Sequence, residues 1–526
     1  MFMRGRSIYL AAMLTLTVAA CDNDITPPAG DPPGQPAAPT VVESAGALVV
    51  TWTAVSGADA YDVQRREAST GSSFATVGAD RTSTDYTDGG VSAGTGYDYR
   101  IIAKNALGSS TPSDPAYGEL GLALATLSGT ISDERTLDAD TTYIIAGIVA
   151  VADGGSLTIP AGTLLRGSTT VTPSALMVRQ GGKIFSNGTA ADPVVFTSNA
   201  DVGSRARGDW GGVVINGYST CNFPASDCVG EGASGPYGGD VLDDDSGVMT
   251  YTRIEFAGYE VSFGNELNAL TLNGVGSGTE LSHIQTHYGS DDGFEWFGGS
   301  VDLKYAIATG ISDDSFDYST GWSGRGQFWI AQQDPDDADT GFEVDGNEDD
   351  YDATPLTQPT IYNVTLVGKG LDGAGGTAGE STTGLLLRRG TGGDIYNAIV
   401  LGFGGSGVDI DNVETVGRYS VQNSIVSRNA ADLQAADDDG GAVAYQDSLS
   451  LPGWNNQIGM AADPLLGDAF NRDAPDFRPD AGSPALAGFA TPPDDGFFDV
   501  SVDYIGAVDP NAGTQWFEGW TTFVRN

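Results

Sequence analysis

The segment Ser290-Asp291-Asp292-Gly293-Phe294-Glu295-Trp296 recurs 22 residues later as Ser312-Asp313-Asp314-Ser315-Phe316-Asp317-Tyr318, with the same order of acids and aromatics. A period that short is one coil of a solenoid, so each acid in the first copy is expected over its counterpart in the second, at about 4.8 Å. Carboxylates stacked that closely repel unless a cation, a shared proton or solvent neutralises them. A hard divalent cation takes oxygen ligands only, which makes Asp291, Asp292, Asp313, Asp314, Glu295 and Asp317 the expected metal ligands and Ca2+ the expected cofactor. A second stretch, Asp345-Gly346-Asn347-Glu348-Asp349, adds Asp345, Asn347 and Asp349 in the Asp-x-Asn-x-Asp spacing of a calcium loop. It departs from an EF-hand at Asp350, where Gly is required, and at Leu356, where Glu is required.

These acids need strands to hold them. Phe294, Phe316 and Phe342 fall at matching points of successive coils and read as an inward aromatic stack. By strand alternation their neighbours Glu295, Asp317 and Glu343 then point outward as a vertical column, which Asp409, after Val408, is expected to extend.

Composition limits the rest. The chain of 526 residues has 75 Gly, 24 Pro and many short Val/Ile/Thr/Tyr runs, so it reads as all-β with more than one domain. A net charge of −46, from 70 acids against 24 Lys plus Arg, repels nucleic acid and anionic lipid headgroups and leaves cations and neutral or basic ligands as partners. Most of those acids read as solvated surface that keeps a β-protein soluble and blocks edge pairing.

Residues 1–21 read as an export signal: Arg4 and Arg6, the apolar run Ile8–Leu14, and Val18-Ala19-Ala20-Cys21. The apolar run is too short for a permanent membrane helix. This ending resembles the lipobox of bacterial lipoproteins, which implies lipidation of Cys21 and an exported protein anchored to the bacterial envelope, at the outer membrane or cell surface. Cys221 and Cys228 remain, and in an oxidising compartment they read as a local disulfide pinning a loop. Residues 22–38, with Pro27, Pro28, Pro32, Pro33 and Pro36, form a semi-rigid tether of about 50 Å.

Residues 39–117 alternate regularly, as in Leu48-Val49-Val50-Thr51-Trp52 and Tyr97-Asp98-Tyr99-Arg100-Ile101, with turn signals at a spacing that suits a small β-sandwich. Trp52, Tyr61, Thr84-Asp85-Tyr86-Thr87-Asp88, Gly96–Arg100 and Asn105-Ala106-Leu107-Gly108-Ser109 resemble the core positions and final turn of a fibronectin type III domain. Such domains serve mostly as spacers or generic binding modules.

From 120 to 526 the pattern is short strand, Gly-bearing turn, short strand, as in Gly154–Leu165 and Leu176–Ile184. The phase recurs as Tyr251-Thr252-Arg253-Ile254, Leu281-Ser282-His283-Ile284, Gln327-Phe328-Trp329-Ile330, Ile361-Tyr362-Asn363-Val364, Ile395-Tyr396-Asn397-Ala398 and Val421-Gln422-Asn423-Ser424. With Gly208-Asp209-Trp210-Gly211-Gly212-Val213 and the ending Tyr504–Pro510, Trp516 and Gly519-Trp520-Thr521, this region resembles the secreted right-handed parallel β-helix proteins of bacteria, of pectate-lyase-like type, closed by a C-terminal cap. The resemblance implies fold and location but no settled reaction.

Three readings of the acid column follow. A non-enzymatic surface binding or adhesion protein, holding polysaccharide or another surface ligand with or without calcium, is the first. The second is a polysaccharide-degrading enzyme: a glycoside hydrolase using one protonated and one ionised carboxyl, or a lyase using calcium with Lys304 or Arg325 as base. His283 and His287 are its further acid or base candidates, although a lone His on a strand is more often structural. In the third, the acids are solvated turn residues.

Overall fold

The computed structural model describes residues 31–68, 72–370, 381–434 and 445–525. The signal segment with Cys21 and the first part of the tether lie outside the described residues. The chain divides into two units between Leu122 and Ala123, and the described residues contain strands and short 3-10 turns but no α-helix.

The first unit is a sandwich. Thr40–Ser44, Ala47–Thr51 and Asp85–Asp88 form one antiparallel sheet, and Ala60–Glu67, Ala75–Arg81 and Gly96–Asn105 are the main strands of the other. Alternation sends Leu48, Val50, Tyr61, Val63, Tyr97, Tyr99 and Ile101 inward, with Trp52 edge-on to Tyr61 at 5.5 Å.

The second unit is a parallel β-helix, with its strands joined in one 25-stranded sheet. On one face the strands Leu270–Asn273, Phe294–Phe297, Phe316–Ser319, Phe342–Val344, Thr383–Leu387 and Ser406–Ile410 stack in parallel register. Longer strands, among them Glu280–His287, Leu303–Thr309, Arg325–Gln332, Thr360–Val367 and Gly393–Leu401, build the remaining faces. Each long strand turns a corner at one residue of positive φ: His283 (53°), Tyr305 (64°), Phe328 (61°), Asn363 (59°) and Asn397 (58°). That conformation costs a residue with a Cβ about 1–2 kcal/mol. Stacking offsets the cost for the ring-bearing residues, since His283 lies 4.2 Å from Tyr251 and 4.3 Å from Tyr305, and Tyr305 lies 4.9 Å from Phe328.

The interior is aromatic where the sequence repeats. Phe294 stacks on Phe316 at 5.1 Å, Phe316 meets Phe342 at 5.2 Å, and Trp329 lies 4.9 Å from Phe316. All four are fully buried, as the inward column requires.

Two arrangements go beyond the sequence expectation. Leu449, Trp454 and Ile458 pack on the interior core at the last coils, and the C-terminal segment after them runs along the flank of the helix. There Phe477, Ala507, Val508, Phe517 and Trp520 bury the outward-facing Ile307, Ile330 and Val367, and Gln285 exchanges hydrogen bonds with Thr522. Those three apolar residues and the stacked corner rings would otherwise face water, which gives the segment its reason to pack there. The second difference is Asp409, which lies on the column's register but beyond Leu386, the residue paired with Glu343. An apolar side chain therefore interrupts the acid column.

Candidate functional site

The column begins in the turn before each short strand, where one acceptor per coil takes the next coil's N–H. Asn268 Oδ1 accepts from Asp292 N at 3.0 Å, Asp292 Oδ1 from Asp314 N at 3.0 Å, and Asp314 Oδ1 from Thr340 N at 2.7 Å. The stacking itself therefore fixes Asp292 and Asp314. On the strand that follows, Glu295 pairs in register with Asp317 and Asp317 with Glu343, while the intervening phenylalanines point inward. Carboxylate oxygens come within 4.8 Å of one another in four sets: Asp291/Asp292/Asp313, Asp292/Glu295/Asp317, Asp313/Asp314/Asp339 and Asp314/Asp317/Glu343.

An inserted loop between the strands Val213–Asn216 and Gly247–Glu255 covers this face. It carries the Cys221–Cys228 disulfide and is tied down through Asn222, whose N–H donates to Thr320 O at 3.1 Å and which accepts from Asn347 Nδ2 at 3.1 Å. Glu295 is left only 7% exposed. Between loop and coils lies a groove of about 530 Å³, lined by Glu295, Asp317, Glu343, Asp345, Glu348 and Asp349 from the helix and by Asp227 and Glu231 from the loop. Phe223, Tyr237 and Phe297 are its aromatic walls and Arg389 is its one lining cation among the described residues.

The electrostatics follow from burial without enough counter-charge. Burial, reinforced by Asp313, pushes Asp291 up to about 8. Burial with the charge of Asp314 raises Asp313 to about 7, and burial with that of Asp339 raises Asp314 to about 7. Asp292, Glu295 and Asp317 lie well above the ordinary carboxylate range, again through burial first and then through Asp291, Asp317 and Asp345 respectively. On the loop, Glu231 rises to about 7 through burial and its neighbour Glu266. Two arginines pair at the far end, where Arg388 meets Glu343 and, at 2.7 Å, Asp345, while Arg389 reaches Asp345 at 2.5 Å; the charge of Arg388 offsets part of the rise at Asp314 and Asp317. Asp317 Oδ1 is buried with no hydrogen-bond partner.

The expected ligands thus divide. Asp291, Asp292, Asp313, Asp314, Glu295 and Asp317 are brought together. Asp345 is held by the arginines, and Asn347 turns its Oδ1 to the N–H groups of Asp349 and Asp350 at 2.9 and 3.0 Å. The acid and base candidates lie on other strands. His283 is sandwiched between Tyr251 and Tyr305. His287 is buried, hydrogen-bonded to Thr309 Oγ1 at 2.7 Å and Val524 O at 3.0 Å, and burial lowers it to about 4. Lys304 donates to Phe497 O, and Arg325 pairs with Asp302 at 2.5 Å and Asp495 at 2.8 Å.

Sequence reasoning missed Asp339 and Asn268. Asp339 follows Asp313 by 26 residues, the interval from Phe316 to Phe342, and Asn268 precedes Asp292 by 24, the interval from Leu270 to Phe294. Carrying the phenylalanine register forward and back would have found both. Nothing local marks Glu231, whose place depends on how the loop folds back.

Known proteins resemble the two units separately. Residues 129–446 match the family described as a pectate-lyase like β-helix domain, and residues 31–119 match the fibronectin type III domain. Among solved structures, a Fn3-like protein from Clostridium thermocellum is 31% identical over 17% of this chain and 91% of its own, with a TM-score of 0.15. Pectate lyase PelI from Erwinia chrysanthemi, in complex with tetragalacturonic acid, is 9% identical over 65% of this chain and 87% of its own, with a TM-score of 0.17. No curated protein matches the chain.

Proposed function

The chain belongs to the pectate-lyase-like β-helix family, here with a fibronectin type III domain ahead of the helix, and on that premise we propose that it is a non-enzymatic glycan-binding protein of the bacterial surface. In this reading it is exported and anchored through a lipidated Cys21. Its ligand lies in the groove, and Ca2+ is held by the acid column.

The observation that carries the calcium reading is the convergence of the carboxylates of Asp291, Asp292, Asp313, Asp314, Glu295 and Asp317, of which Asp292, Asp314 and Glu295 are buried, with a partnerless oxygen on Asp317. The donor chemistry fits a hard divalent cation, since every oxygen offered is a carboxylate and the two arginines reach only Glu343 and Asp345. A bound cation would supply the positive charge that lets these groups stay ionised, and it could accept glycan hydroxyls as further ligands.

Binding is favoured over cleavage by the charge pattern. A hydrolytic pair needs one carboxyl held ionised beside one held protonated, whereas Asp292, Glu295 and Asp317 are all raised together. Lys304 and Arg325, the bases considered for a lyase, are tied to Phe497, Asp302 and Asp495.

Calorimetric titration of the purified protein with CaCl2, followed by incubation with a panel of neutral and acidic polysaccharides, tests the proposal. Calcium binding with glycan retention and no chain shortening is the expected result. Release of reducing ends or of unsaturated products would overturn the non-enzymatic reading in favour of a hydrolase or a lyase.

A further inference from the structure

The inserted loop has a second side. In its short hairpin Val229 and Gly230 pair antiparallel with Pro236 and Gly235. Val229, Gly230 and Glu231 line the acidic groove, while Ala233, Gly235 and Pro236 line a separate open cavity of about 500 Å³. Arg179 and Gln180, which follow the strand Ala175–Val178, Asp153 from the turn of the preceding coil, and Tyr218 complete its walls.

Two opposite charges face this cavity, and neither is paired among the described residues. Arg207, Arg325, Arg388 and Arg478 each meet an aspartate within 2.8 Å. Arg179 instead donates to Ala233 O at 2.9 Å and has no carboxylate at ion-pair distance among the described residues, in a chain with 70 acids. Burial pulls its guanidinium below the ordinary arginine value, and no acid offsets that. The Asp153 carboxylate accepts no hydrogen bond from the described residues. Glycine makes room for both: a Cβ on Gly235 would stand 3.0 Å from Arg179 Nη1, and one on Gly181, at φ 77°, would collide with the Asp153 carboxylate. Gln180 is fixed as well, since its Nε2 donates to Gly217 O and Gly238 O, both at 3.0 Å, which leaves Oε1 as its open acceptor.

The guanidinium offers a planar fork to a carboxylate, whereas Asp153 and Gln180 Oε1 offer acceptors only. A plain anion would set Asp153 against like charge, and a plain cation would leave Arg179 without a partner. A ligand with both charges satisfies both walls. An α-amino acid carries the two on one carbon, and a cavity of this volume has room for its side chain against Pro236 and the ring of Tyr218, which is 36% exposed.

We infer that this cavity is a second binding site, independent of the groove, for a free α-amino acid with an apolar or aromatic side chain: its carboxylate on Arg179, its ammonium on Asp153 and Gln180, its side chain on Tyr218 and Pro236.

The test is calorimetric titration of the full chain, in chelator, with L-phenylalanine and with two analogues that each lack one charge, phenethylamine and 3-phenylpropanoate. Phenethylamine is expected to bind at least about tenfold more weakly than L-phenylalanine, and 3-phenylpropanoate about threefold more weakly, because the acceptor side is the more exposed. Arg179→Gln should cost about tenfold and Asp153→Asn about threefold, with circular dichroism confirming that both fold. The analogue series on the parent protein needs no variant. Equal binding of 3-phenylpropanoate would overturn the inference in favour of a simple carboxylate site, and equal binding of phenethylamine would overturn it in favour of an amine site. L-Phenylalanine binding unchanged in both folded variants, or absent from the parent protein at millimolar concentration, would also overturn it.

Discussion

Asp292 Oδ1 accepts the backbone N–H of Asp314 at 3.0 Å, and in the coil before it Asn268 Oδ1 accepts the N–H of Asp292 in the same way. One position in the stack is thus filled by an amide and the next by a carboxylate, with the same bond to the following coil. The ladder needs an acceptor oxygen there and does not need a charge.

The double variant Asp292→Asn/Asp314→Asn should therefore fold, since each amide keeps its Oδ1 for the next coil. It should lose the rise in melting temperature that calcium gives the parent protein, because ligand linkage acts only through a site that binds. Thermal melts of both proteins in CaCl2 and in chelator provide the check. A variant that still responds in full would place the cation elsewhere.

Stability without calcium should fall as pH rises. Folding raises Asp291 to about 8 and Asp313, Asp314 and Asp345 to about 7, against about 4 in an unfolded chain. The folded state then binds more protons than the unfolded state across that interval, so the slope of stability against pH is negative. The stability is present in full below about 4 and is lost progressively up to about 8. Melting temperatures in chelator should decline from pH 5 to pH 8, by the linkage just given, and saturating calcium should flatten the decline. A rise over the same interval in chelator would show that the carboxyls are not buried as described.

Phe316 is fully buried, 5.1 Å from Phe294, 4.9 Å from Trp329 and 5.2 Å from Phe342. Phe316→Ala should cost about 3–5 kcal/mol in chemical denaturation, as a cavity of that size does in a core that cannot collapse along its axis. Phe316→Leu should recover part of the loss.

Lipid anchorage is tested at the N-terminus. Cys21→Ser should move the protein from the membrane fraction to the soluble exported fraction. Continued sedimentation with membranes would mean that something other than a lipidated Cys21 retains it.

The sequence by itself determined what depends on local period. Because strand alternation and coil length act over a few residues, the recurrence of Phe294, Phe316 and Phe342 was enough to orient Glu295, Asp317 and Glu343 outward, and the register bears this out. The fibronectin-like core of Trp52 and Tyr61 was legible for the same reason. Only the tertiary structure decided what lies on top of those faces. The loop that brings Glu231 over the column, the strap that sets Trp520 beside Tyr251 and His283, and the leucine that parts Asp409 from Glu343 all depend on long-range placement. For Leu386 the cause is the longer interval between the strands Phe342–Val344 and Thr383–Leu387, which hides which residue meets Glu343. For loop and strap the cause is burial: whichever segment can cover the exposed apolar and acidic faces packs there, and that choice is made by surfaces that exist only once the coils have stacked.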